Sequence, residues 1–598
     1  MKRALGKTNV LAAAAFTAAM ALGVPACSLI TAEDPRPQGD VGTVGVALQL
    51  APGVTVNSAS YSISGPGGFT KTGTIDVSHS STISATIPGL PAGNGFTITL
   101  NANATTGNAA CVGSAMFNVT AGGTTNVTVH LTCQVAPRTG GISVTGTVNV
   151  CPVVDGVSAN PSDVTVGSTI ALSVTAHDSD AGPAALSYSW TASSGTLAPA
   201  TGASPTFTCK NPGPATITVT ASDGDATAGC PGTASVQVHC SLPGAGGPAT
   251  AFTAAVYGDA PYGTTPTDNS QTLATPAFVA SVNADPNVSL VIHVGDIHSG
   301  KQFCTQAYNQ TVFDLWTAYQ DPLVYTPGDN EWSDCHKVAQ GGGAYNAMTG
   351  MIDFVRDSMG NLVDYAAGDP IANLALVRSM FFPTPGLSLG TNKRQVLSQA
   401  QSFDPAHASD GTFVENVMWE QSHVLFVAVN VPGGSNNDAD VWYGAPTATA
   451  AQTQEIADRT GADLRWLDTA FAQATVDGVV AVVILAQADM WDPEKGAAHQ
   501  AGYEPIVQSI ATHTTAFGKP VLMFNGDSHV YQTGNVFNPA DPNYAMHPGY
   551  NVTNFRRVVV HGSTLPLEWL RLTIDPAVNA PESPTAFGPF SWERMIQP

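Results

Sequence analysis

At 598 residues the chain exceeds what one hydrophobic core organises, and its length points to three or four domains. Charged residues make up only 11%, against 59 glycines and 42 prolines, the balance of an exported β-rich protein. A formal net charge of −23 repels nucleic acid and anionic membranes, so a nucleic-acid partner is not expected, and an anionic substrate needs local positive charge or metal to draw it in.

Residues 1–26 read as an export signal: Lys2, Arg3 and Lys7 precede the apolar stretch "VLAAAAFTAAMALGV". The "VPAC" that ends it resembles a bacterial lipobox, which implies lipidation of Cys27 and membrane attachment through that lipid alone. Ordinary cleavage beside a stray cysteine is the alternative. The stretch is too short for a mature membrane span. The chain is therefore expected outside the cytoplasm, as an outer-membrane or cell-surface lipoprotein or otherwise secreted. With Cys27 set aside, an even number of cysteines remains and no CxxC pair occurs, which reads as four disulfides rather than a metal site.

Residues 27–40 form a polar tether. Over 41–135, short period-2 segments such as "GTVGVALQL", "GFTITLNAN" and "TNVTVHLTC" are separated by Gly, Pro and Asn, predicting a small antiparallel β-sandwich. Cys111 and Cys133 border its last two strands and are placed to pair. Over 141–241, "TIALSVTAHDSD", "LSYSWTAS" and "ATITVTASDGD" resemble a PKD-type immunoglobulin-like domain, with Trp190 on the strand where such folds bury an aromatic. The ends of that sandwich to which each cysteine belongs predict Cys151–Cys230 and Cys209–Cys240. Neither β-module carries a catalytic constellation, and both read as spacers.

From 250 to 598 the texture changes. Nearly continuous apolar runs ("FTAAVYGD", "VSLVIHVGD", "PLVYTPGD", "SHVLFVAVN", "VVAVVILAQAD", "KPVLMFNGD") alternate with helical patterns such as "EPIVQSIATHTTAFG", predicting an α/β or α+β layered domain. Strand after strand ends in Asp, Asn or Gln, where layered sheets place their ligands. In order these are Asp259, Asp296, Asp329 with Asn330, Gln487 with Asp489, and Asp527 with His529. Gathered at the mouth of one sheet, such acids cost several kcal/mol each unless neutralised. Few Lys or Arg lie near; only Lys301 and Lys337 closely follow these loops. Cations are the simplest source of the missing charge, and oxygen-rich ligands with one or two imidazoles suit Mn, Fe, Zn, Mg or Ca.

The order and strand context of these blocks resemble the calcineurin-like metallophosphoesterase superfamily, which includes the purple acid phosphatases. The resemblance covers about 250–575. It implies two divalent ions held by Asp259, Asp296 as the bridging ligand, Asp329, Asn330, Gln487, Asp527 and His529. It also implies hydrolysis of a phosphate mono- or diester by a metal-activated hydroxide. The departures are specific. Pro261 stands where many members have His, Gln487 replaces a ligand His, and Asp527 replaces the first His of the last block. Read without a gap, "PGDNE" puts Asp329 at the family's Asn ligand and Asn330 at its phosphate-assisting His. A slip of one makes Asn330 the ligand and leaves no catalytic His there. The cassette is richer in oxygen than usual, which favours hard ions over zinc. His298, then His336, is the expected proton donor to the leaving group. A Cys304–Cys335 disulfide would staple two of the ligand loops.

Four other readings stand beside this one. "NGDSHVY" could belong to a GDS-type serine esterase with Ser528 as nucleophile, but no D-x-x-H follows it. "PGGSNND", Pro432 to Asp438, could cradle an anion with its amides, and Tyr262 and Trp332 could line the cleft. From a different class, the chain could be a surface binding or adhesion protein whose phosphoesterase-like domain has lost turnover.

Overall fold

The computed structural model describes residues 41–49, 56–76, 82–105, 109–121, 124–135, 149–180, 183–225 and 229–597. The export signal, Cys27 and the tether lie outside these residues. Two compact units divide the chain, Met1–Gly146 and Thr147–Pro598. The β-module over 141–241 and the layered part, separated above by composition, thus belong to one unit.

In the first unit, alternating side chains from a three-stranded and a five-stranded sheet meet around Val44, Ile63, Phe96, Ile98 and Val129. One pairing departs from the antiparallel expectation: Val41–Gln49 runs antiparallel to Thr82–Pro91 but parallel to Thr124–His130. Period-2 alternation tells which face of a strand is buried and nothing of its neighbour's direction. Cys111 and Cys133 are cross-strand partners and are joined by a disulfide.

The second unit opens with two four-stranded sheets around Trp190, Ile170, Phe207, Ile217 and Val219. Trp190 is buried, and its indole N–H donates to the Gly202 carbonyl at 2.8 Å. Disulfides join Cys151 to Cys230 and Cys209 to Cys240. The module is tied to the remainder by Ser402 Oγ, which donates to Asn211 Oδ1 at 2.9 Å, and by the Glu420 amide, which donates to the Pro243 carbonyl at 2.9 Å.

The layered part contains two seven-stranded sheets where one was expected. The first carries the parallel strands Phe252–Tyr257, Val288–His293 and Leu323–Tyr325; the second carries Val424–Ala428, Ala481–Leu485, Val521–Asn525 and Phe555–Val559. Ala254, Val256, Leu290 and Ile292 of the first sheet share a core with Phe426, Val483, Leu485, Leu522 and Phe524 of the second. Helices cover the outer faces. Ala450–Val476 starts at Thr449, whose side chain accepts the Gln452 amide, and lays Trp466, Leu467, Ala470 and Phe471 on the second sheet. Glu504–Phe517 packs Ile506, Val507 and Ile510 beside it and stops at Gly518, φ 68°. Phe278, Val312, Trp316 and Val377, from three other helices, cover the first sheet. Covered on both faces, these strands need no alternation, which explains their continuous apolar runs. No helix among the described residues is long and apolar enough to cross a membrane.

Candidate metal centre

The two sheets meet at the ends of their parallel strands. The first contributes the turns at Asp259, Asp296 and Asp329; the second contributes Gln487, Asp489, Asp527 and His529. Asp259, Asp296, Asp527 and His529 adopt left-handed backbone, with φ of 49°, 63°, 74° and 61°. Such residues each cost about 1 kcal/mol or more and persist only where their surroundings hold them. The adjoining glycines make room. A Cβ on Gly328 would fall 2.0 Å from Asp296 Oδ1, and one on Gly526 would fall 2.6 Å from Asp259 Oδ2.

Ligand atoms from Asp259, Asp296 and His529 all lie within 4.8 Å of one another. Asp259 Oδ1 accepts the Asp527 amide at 2.9 Å and lies 3.7 Å from His529 Nε2, while Asp259 Oδ2 is buried without a hydrogen-bond partner among the described residues. Asp296 Oδ2 accepts the Tyr262 hydroxyl and Asn330 Nδ2, both at 2.7 Å. Burial raises the carboxyls of Asp259, Asp296 and Asp527 well above the usual range, and the nearby Asp329 raises them further. Asp329 is itself pushed up to about 7 by burial and by Asp334. Partial burial, then His561, lowers His529 to about 4, so at neutral pH its ring is uncharged and holds a lone pair fit for ligation. A close trio of two carboxylates and a neutral imidazole, with one buried oxygen left over, fits a divalent cation.

The remaining predicted residues fall around this trio, and several take other work. Gln487, expected as a ligand, is spent at both ends: Oε1 accepts the Gly433 amide at 2.5 Å and Nε2 donates to Asp329 Oδ1 at 2.9 Å. Asn330 turns its amide nitrogen to Asp296, and its oxygen accepts Gln340 Nε2 at 2.9 Å, so it orients a ligand rather than serving as one. Asp527 Oδ2 accepts the Asp489 amide at 2.9 Å. Neither of the two histidines expected as proton donors is an imidazolium at neutral pH. His298 Nδ1 lies 3.1 Å from the Ser299 carbonyl, which places its proton there and leaves only a lone pair at Nε2. His336 Nδ1 accepts the Tyr443 amide at 3.0 Å, so its proton sits at Nε2, which is buried and unpartnered among the described residues. Burial lowers both rings to about 4, and both are neutral at pH 7. Ser528 donates to Asp489 Oδ2 at 2.8 Å, the contact of a loop-turning serine rather than a nucleophile. Trp332 is fully buried beneath the Arg459 guanidinium and lines no cleft.

Two contributors were not legible as such. Tyr262, expected to line the cleft, instead has its hydroxyl at the centre, donating to Asp296 Oδ2, accepting Asn330 Nδ2 at 2.5 Å and lying 3.1 Å from His529 Nε2. The only signal was a tyrosine three residues past Asp259. Glu331 Oε1 accepts the Tyr325 hydroxyl and the Gly328 amide, both at 2.5 Å, and so fixes the Asp329 turn.

The Cys304–Cys335 disulfide joins the loops that follow Asp296 and Asp329. Beside it Asp364 is buried, both its oxygens lack partners among the described residues, and burial pushes its carboxyl up to about 9. The native state therefore keeps a proton that the unfolded chain releases near pH 4, and this group's contribution to stability falls as pH rises from about 4 to about 9. Asp364→Asn removes that slope. In urea melts its gain over the unaltered protein is expected to be small at pH 5 and on the order of a few kcal/mol at pH 8; equal differences at both pH values would count against the assignment.

No family model matches the chain, and no curated protein matches it. Among solved structures, a purple acid phosphatase isolated from yellow lupin (Lupinus luteus) seeds aligns at 12% identity over 89% of this chain and 91% of that one, with a TM-score of 0.27. The D00–D0 domain of intimin aligns at 17% identity over 30% of this chain and 77% of that one, with a TM-score of 0.13. Likenesses this slight carry no argument about function, which rests on the side chains described above. Four disulfides fit an oxidising, extracytoplasmic compartment.

Proposed function

We propose that this chain is an exported, metal-dependent phosphoesterase acting on a phosphate mono- or diester. The observation that carries the reading is the convergence of Asp259, Asp296 and His529, with Asp259 Oδ2 left unpartnered. These three would hold a divalent ion, with Asp329 and Asp527 available towards a second. Mn, Fe, Zn, Mg and Ca are the candidate metals. Bound there, divalent ions supply a lowered water pKa and charge to offset the phosphoryl oxygens. The rest is the chain's own work. Tyr262 and Asn330 orient Asp296, and Gln487 orients Asp329. Cys27 would tether the enzyme to a membrane through its lipid, and the acidic surface keeps it from nucleic acid.

The engagement of both Gln487 and Asn330 thins the second ligand set, and it favours a second reading, a surface binding protein without turnover. One experiment separates them. The full chain is stripped with chelator, reloaded with each metal in turn, and assayed on chromogenic phosphate mono- and diesters. Metal-dependent hydrolysis, lost on chelation, is expected. Metal uptake without hydrolysis supports the second reading, and failure to take up metal sinks the first.

A further inference from the structure

The loop Pro432 to Asp438 does not offer its first amides to an anion. The Gly433 amide is given to Gln487 Oε1 and the Gly434 amide to Asp527 Oδ2, at 2.5 and 3.4 Å. The loop instead lies directly against the acids: a Cβ on Gly434 would fall 2.6 Å from Asp329 Oδ2. Two ammonium groups reach its next atoms. Lys495 Nζ donates to the Gly434 carbonyl at 2.7 Å, and Lys337 Nζ donates to Ser435 Oγ at 3.2 Å. Lys337 also pairs with the buried Asp334, and Lys495 lies 3.7 Å from Asp440, which is shared with His499. Their side chains remain 39% and 47% exposed, so neither is sealed from solvent.

The chain has only 21 Lys and Arg against 44 Asp and Glu, and two of these cations meet successive residues of the loop that covers the acid cluster. Folding does not require this of Lys495, whose partners are a carbonyl oxygen and a half-exposed carboxylate. We infer that Lys337 and Lys495 form a subsite for a second phosphoryl group, so that the substrate class is a compound carrying two neighbouring phosphoryl groups. One would meet Asp259, Asp296 and His529. The other would exchange the loop's neutral carbonyl and hydroxyl for charge-assisted bonds from the two ammonium groups. The inference rests on the phosphoesterase reading for the first group alone.

The test is calorimetric binding of methylenediphosphonate and methylphosphonate to the manganese-loaded full chain. The diphosphonate is expected to bind about tenfold more tightly than the monophosphonate. Lys495→Met should weaken the diphosphonate about tenfold, leave the monophosphonate within about twofold, and be largely rescued by Lys495→Arg. Equal loss of both anions, no loss of either, or failure of the diphosphonate to bind would overturn the subsite. If the pattern holds in a protein that hydrolyses no ester, the subsite stands and the phosphoesterase reading falls. If esters are hydrolysed without the pattern, the reverse follows.

Discussion

Asp296→Asn is expected to lower kcat/KM for a phosphate ester by on the order of a thousandfold or more. The substitution keeps the shape and removes the charge. Asp296 Oδ2 accepts two hydrogen bonds, from Tyr262 and Asn330, and Oδ1 accepts the Asn330 amide at 3.2 Å. These donors hold both oxygens beside Asp259 and His529, and an amide nitrogen at either position would face donors instead of a cation. A metal at a hundred times its Kd stabilises the folded chain by about 2.7 kcal/mol, so the unaltered protein should gain several degrees in Tm on metal addition. The variant should gain none. In metal-free buffer the order of stability reverses, because Asn removes one of several uncompensated buried acids. Elemental analysis and thermal melts with and without manganese check all three statements. A variant that still takes up metal and turns over ester would exclude Asp296 from the centre.

Arg557→Met is expected to destabilise the fold by about 3–5 kcal/mol. Arg557 and Asp489 are each 2% exposed and form an ion pair at the edge of the acid cluster. Asp489 also accepts Ser528 Oγ at 2.8 Å and the Trp491 amide at 3.1 Å, and its own amide donates to Asp527. The guanidinium lies 5.6 Å from the centre of the Trp491 ring. Removing it strands a buried carboxylate next to Asp527, which has no cation of its own among the described residues. Adding Asp489→Asn should recover most of the loss, since the charge then disappears with its partner. Urea melts of the two single variants and the double variant measure this. A loss below about 1 kcal/mol, or a double variant no better than Arg557→Met alone, would show that the pair is not what balances this edge.

Much of the centre was legible because its signals are local. An apolar run ending in Gly-Asp states both that a strand is buried and that it delivers an acid to a turn. Asp259, Asp296, Asp329 and Asp527 could each be picked out from a few residues of context. The cysteines were legible for a similar reason: Cys111 and Cys133, or Cys304 and Cys335, lie close to strands whose neighbourhood the pattern already suggests.

What escaped depended on contacts between distant segments. Period and run length are the same for a strand in one sheet or in either of two, so the meeting of Val288–His293 and Val521–Asn525 ends across separate sheets was invisible. Whether an amide ligates or supports depends on which way it faces, and that is decided by Gly433 for Gln487 and by Gln340 for Asn330. The proton on His336 rather than on the outer nitrogen of His298 follows from a Tyr443 amide 107 residues further on. Residue type and spacing determined which groups could carry the chemistry. Only the tertiary structure, by fixing each group's hydrogen-bond partner, decided which of them are free to do so.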